Sequence, residues 1–128
     1  MANRARPLSP HLQVYRWRAN MTVSILHRAT GVGLTIAGAG ILLWWLIAAA
    51  TGAEAYAQFL EAARHPAGLF VLFGLTAVFW QHFFSGLRHL YMDTGAGFEP
   101  AKSRQLASLT FLGTAVATIA TWALIFFA

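Results

Sequence analysis

Residues 66–93 read PAGLFVLFGLTAVFWQHFFSGLRHLYMD. From Pro66 to Leu87 there is no Asp, Glu, Lys or Arg. That run exceeds the roughly 20 residues a helix needs to cross about 30 Å of hydrocarbon. Two further runs share the character, Ala29 to Ala53 and Gln105 to Ala128. In lipid, a segment must satisfy its own backbone polar groups, so the three runs predict three transmembrane helices. The expected fold class is all-α, an integral membrane protein. His82 is the only ionisable residue set well inside one of these runs. An ionisable side chain in the membrane is costly and marks a functional site by default.

Composition agrees with this reading. Of 128 residues, 58% are hydrophobic and only 10% charged, whereas about a quarter of a soluble domain is charged. Three spans leave too little chain for a soluble domain with its own core. The chain has no cysteine, which excludes disulfides, thiolate metal sites and the covalent attachment of c-type haem. Any haem must be held without a covalent bond. The first apolar run is too long for a signal-peptide core and is expected to be retained.

The net charge of +5 is unevenly placed. Arg4, Arg6, Arg16, Arg18 and Arg28 precede the first run with no acid among them. Glu54, Glu61 and Arg64 occupy the first loop, and Arg88, Lys102 and Arg104 the second. The positive-inside rule puts the N-terminus and second loop in the cytoplasm and the C-terminus in the periplasm. The basic ends serve topology and anionic lipid headgroups rather than nucleic acid.

The chain reads as a single unit over residues 1–128. Residues 1–20 form an irregular interfacial arm, with Pro7 and Pro10 interrupting helix and Tyr15 and Trp17 suited to the headgroup layer. Helices are expected over about 21–50, 66–91 and 103–127, with a short loop from Thr51 to Pro66 that has room for a helical turn. At the entry of the first helix, Ser24 lies one turn from both His27 and Arg28. A hydroxyl, an imidazole and a guanidinium thus converge at the membrane boundary, a donor set for a carbonyl or carboxylate oxygen. The competing reading has Arg28 reaching to the surface and Ser24 bonding back to its helix. Gly31, Gly33, Ala37, Gly38 and Gly40 form a small-residue surface for helix approach, as do Gly113, Ala117 and Thr121 on the third helix.

His82, Gly86 and His89 share one face of the second helix. A glycine one turn from a histidine removes the side chain that would block a flat macrocycle. Spacing alone equally allows a histidine that bonds a neighbouring helix. His82 and His89 lie about 10 Å apart along the axis, whereas two axial nitrogens of one iron stand about 4 Å apart. They cannot sandwich one iron. Within the chain only His27 is placed to be a second ligand, and a partner chain is the simpler source. A proton relay in a small transporter is the remaining reading of His82, and the lack of an internal repeat or intramembrane acid argues against it.

Three motifs carry a family resemblance: Arg6-Pro7-Leu8-Ser9-Pro10-His11-Leu12, then Ser24-Ile25-Leu26-His27-Arg28-Ala29-Thr30-Gly31, then His82-x-x-x-Gly86-Leu87-Arg88-His89-Leu90-x-x-Asp93-x-Gly95. In order and spacing they resemble the cytochrome b subunits of succinate dehydrogenase, respiratory complex II. The resemblance implies an anchor whose helical bundle is completed by a second membrane anchor subunit. It implies haem b with His82 as an axial ligand to its iron, the other ligand coming from that second anchor. It places His27, Arg28 and His89 near the haem propionates, and Ser24 and Arg28 in a ubiquinone pocket shared with an iron–sulfur subunit. No residue of this chain is expected to be catalytic for succinate oxidation, which belongs to a flavoprotein subunit. The short N-terminus favours a bacterial inner membrane over a mitochondrion, with a processed imported chain as the alternative. A haem-free anchor of the same kind of complex, or a fumarate reductase anchor, is the alternative within the resemblance.

Overall fold

The structure, a computed structural model, describes residues 15–127. The first motif, with Arg4, Arg6, Pro7, Pro10 and His11, and most of the expected arm lie outside the described residues. Four helices account for nearly all the rest. Helix α1 runs from Ala19 to Thr51, α2 from Ala53 to Arg64, α3 from Pro66 to Asp93 and α4 from Pro100 to Phe127. Helices α1, α3 and α4 are long and apolar enough to cross a membrane. No strand is present among the described residues.

The helix limits follow from local chemistry. Helix α1 begins just after Arg18, and the Trp17 indole ties the entry by donating to Thr22 Oγ1 at 2.6 Å. Its interior contains a π-helical stretch, Leu34–Gly38, of the kind that occurs as single-turn insertions at functional sites. Gly52, at φ 133°, separates α1 from α2. Helix α3 opens on Pro66, whose missing N–H costs nothing in a first turn, and the His65 side chain caps it by accepting from the Ala67 N–H at 3.2 Å. Helix α4 opens on Pro100 for the same reason, three residues before the expected start.

The segment after Thr51 differs most from expectation. It is a twelve-residue helix rather than a loop with one turn. Tyr56, Phe59, Leu60 and Ala63 recur at helical spacing and give α2 one apolar face. Phe59 is buried and meets Trp44 edge to face at 5.0 Å. Helix α2 therefore folds back on the end of α1 as an interfacial helix. The turn into α3 is tight: a Cβ at Gly68 would fall on the Ala62 carbonyl. Gly68→Ala must force α2 and α3 apart, and overpacking of this kind costs about 1–3 kcal/mol. A lowered melting temperature of the assembled complex is expected. Gly74→Ala, whose Cβ would meet open space, is the neutral control.

Antiparallel packing brings the start of α1, the end of α3 and the start of α4 to one end of the bundle. Arg16, Arg18, Arg28, Arg88, Lys102 and Arg104 gather there. Val23 of α1 and Ala107 of α4 are completely buried at that end, as is Ser85 of α3. Small side chains at the crossing let the backbones approach, which is how helices pack in lipid. The Arg88 guanidinium is buried and donates to Ser103 Oγ at 3.1 Å, and Asn20 Nδ2 donates to the same oxygen at 3.0 Å. One serine thereby joins three helices. Further along, α4 lies on α3 through its small stripe: a Cβ at Gly113 would stand 3.1 Å from the Phe84 ring, and Trp80 Nε1 donates to Thr121 Oγ1 at 3.0 Å. The corresponding surface of α1 is used only in part. Gly31 faces His82 and Gly33 approaches Val78, but Gly40 faces open space.

Candidate functional site

Where α1 crosses α3 at the Arg-rich end, three histidines converge. His27 and His82 stack with centroids 4.2 Å apart and planes 8° from parallel. His89 lies on the other side of His27, its centroid 4.8 Å away. The His27 ring thus fills the space between two histidines of α3 that are themselves two turns apart.

Hydrogen bonds fix both stacked rings. His82 Nδ1 is 3.2 Å from the His27 carbonyl oxygen and 3.2 Å from Thr30 Oγ1. A carbonyl only accepts, so Nδ1 carries the proton and donates. The Thr30 hydroxyl gives its own proton to the Leu26 carbonyl at 2.6 Å and so accepts from the ring. On His27 the partner is Ser85, with Nδ1 and Oγ 2.7 Å apart. Ser85 Oγ also lies 3.1 Å from the His82 carbonyl oxygen, so its single proton can go to either partner. The His82 imidazole therefore holds its proton on Nδ1 and presents a bare Nε2. A histidine anchored through Nδ1–H to a carbonyl is the arrangement that orients Nε2 as a metal ligand.

A slot of about 480 Å³ opens beside the stacked pair. Arg28, Gly31, Thr35 and Ile36 line it with His27 and His82. A Cβ at Gly31 would stand 3.1 Å from His82 Cε1, so glycine is what lets the imidazole approach α1. Gly86 lies beside His27. Its Cβ position is 3.8 Å from His27 Cε1, so the space beside it receives the His27 ring. The Arg28 guanidinium is exposed at the slot, and Ser24 is half-buried one turn nearer the membrane surface. Among the described residues Ser24 makes no back-bond to its helix, unlike Thr22, Thr30 and Thr35.

Stacked rings cannot bind one iron from opposite sides, because such ligands face each other across the metal rather than lie side by side. Among the described residues no group of three or more His, Asp or Glu is arranged to hold a metal ion. Among the described residues, His27 and His82 both line the slot, but as a stacked pair they cannot be the two axial ligands of one iron. Thr30 and Ser85 were not foreseen. Ser85 lies three residues after His82 on the same face, a spacing that signals it in retrospect.

Three apolar spans with a histidine-lined slot at their basic end define a multi-pass membrane protein. Comparison with known proteins agrees. The family described as succinate dehydrogenase/fumarate reductase transmembrane subunit matches residues 2–121, and the chain belongs to it. It is 39% identical to the succinate dehydrogenase cytochrome b556 subunit of Paracoccus denitrificans over 91% of this chain and 88% of that one. Identity to the subunit of the same name in Rickettsia conorii is 34%, covering 91% of this chain and 90% of that one. To the mitochondrial cytochrome b560 subunit of Sus scrofa it is 31%, over 89% and 68%. The chain is accordingly a membrane anchor subunit of the succinate dehydrogenase type and works within a complex of several subunits.

Proposed function

We propose that this chain is the haem b-bearing anchor of a succinate:quinone oxidoreductase, helping to pass electrons from an iron–sulfur subunit to ubiquinone. The observation that carries the proposal is the Nδ1-anchored His82 ring, with its Nε2 free, beside a slot cleared by Gly31. These residues fit a haem: His82 Nε2 would ligate the iron, and a histidine of the second anchor subunit would supply the opposite ligand. Arg28 and His27 line the same slot, with His89 packed against His27, and would lie nearest the propionates. When bound, haem b supplies a one-electron store whose potential depends on bis-histidine ligation and burial.

The chain's own residues then prepare the quinone. Ser24 would donate to one quinone carbonyl. The Arg28 guanidinium would stabilise negative charge developing on a quinone oxygen as electrons arrive, a fixed positive group aimed at transition-state charge. Their place at the basic end suits electron delivery and proton uptake from the cytoplasm. That orientation rests on the positive-inside rule, with the N-terminus inside and the C-terminus in the periplasm of a bacterial inner membrane. Succinate oxidation is assigned to the flavoprotein subunit.

Ser24→Ala in the assembled complex tests the quinone part. Loss of one hydrogen bond to a substrate oxygen is expected to lower quinone reductase activity roughly tenfold. Succinate oxidation with a soluble artificial acceptor should stay unchanged. Equal activity with both acceptors would remove Ser24 from the quinone site.

A further inference from the structure

The end of the bundle opposite the histidines carries a second cavity. Helix α1 touches α4 only through Ala19–Gly33, and from Leu34 onward the two diverge. Helix α3 forms the floor of the wedge between them. The resulting groove holds about 710 Å³ and is lined by Leu34, Gly38 and Trp45 of α1, Trp80 of α3 and Trp122 of α4. Arg64, the last residue of α2, stands at its mouth and is exposed.

The dimensions of the groove are those of one lipid tail. From Leu34 to Trp45 the wall runs about 16 Å at 1.5 Å per residue, and one leaflet contributes about 15 Å of hydrocarbon. Helix α2 lies at the interface, so its C-terminus sits at headgroup level. Arg64 is the sole Lys or Arg between Arg28 and Arg88, and its end of the chain otherwise bears Glu54 and Glu61. A lone guanidinium beside an apolar groove of leaflet depth matches a phosphate above an acyl chain, because guanidinium binds phosphate in bidentate fashion. Trp122 lines the groove with its ring, and its indole N–H is buried without a partner among the described residues.

We propose that this groove holds one acyl chain of an anionic phospholipid whose phosphate is bound by Arg64. The lipid completes the wedge between α1 and α4. It is distinct from the histidine slot and does not depend on haem or quinone binding.

The test uses the whole complex, reconstituted in phosphatidylcholine nanodiscs containing phosphatidylglycerol and released for native mass spectrometry. Wild type is expected to retain phosphatidylglycerol in preference to phosphatidylcholine. Arg64→Gln should reduce that retention roughly fivefold, the size of one cation's attraction to an anionic surface. Gly38→Leu should remove both lipids, since its side chain would fill the groove. The Cβ it adds stands 3.4 Å from Leu34, an ordinary contact that the fold accepts. Equal retention of the two lipids by wild type, or unchanged retention in Arg64→Gln, would overturn the proposal. So would a retained ubiquinone, or no bound small molecule at all, which would assign the groove to a helix of a partner subunit.

Discussion

His82→Ala is expected to abolish haem b in a complex that still assembles. The argument is geometric. His82 is the one ring on α3 whose Nδ1 is committed to a backbone carbonyl, and it lines the slot. His27 cannot replace it, because its ring is held on the opposite helix by Ser85 and lies parallel to His82. His89 contacts His27 but does not line the slot. Haem per mole of flavin should fall to background in His82→Ala and stay near the wild-type value in His89→Ala. Thr30→Val keeps the shape of the side chain but removes an acceptor from His82. Loss of such an orienting contact typically costs 10–100-fold in affinity, so haem should be retained weakly. Full haem content in assembled His82→Ala would move the ligand elsewhere, and His27→Ala would then be measured.

The second large effect is expected at Arg28. Arg28→Leu removes the one Lys or Arg that lines the slot among the described residues. Withdrawal of one preorganised group that stabilises transition-state charge costs about 10²–10³ in rate. Quinone reductase activity should fall by that factor, with succinate oxidation by an artificial acceptor preserved. Arg28→Lys should recover only part of the rate, since an ammonium keeps the charge without the planar fork. If Arg28→Leu reduced quinone at the wild-type rate, Arg28 would be an anchoring residue at the headgroup layer and nothing more.

The parts of this molecule legible in the sequence are those governed by distance along one helix. Uncharged runs of membrane length announce α1, α3 and α4, and the cost of an imidazole in lipid singles out His82. The 3.6-residue period places His82, Ser85 and His89 on one face of α3 before any crossing is known. What depends on a crossing is not legible this way. The stack of His27 on His82 arises because α1 and α3 meet at Gly31, and neither helix alone specifies that meeting. Ser85 escaped for a related reason. A serine in a membrane helix ordinarily bonds back to its own carbonyls. Ser85 can do so, at the His82 oxygen, and it also pairs with His27 across the crossing. Helix α2 was hidden by its brevity and by Glu54, Glu61 and Arg64, which read as loop until the apolar face with Phe59 is seen against Trp44. Gly86 likewise has its neighbour set by the crossing, with a histidine of the other helix beside it.

The most direct test of the central claim is a reduced-minus-oxidised optical spectrum of the purified wild-type complex, scaled to its flavin. One haem-bearing anchor per complex predicts a b-type α-band at a stoichiometry of about one, the spectrum of bis-histidine ligation. A flat difference spectrum from a complex that still oxidises succinate would contradict it. The chain would then be a haem-free anchor, with Ser24 and Arg28 as its whole functional site.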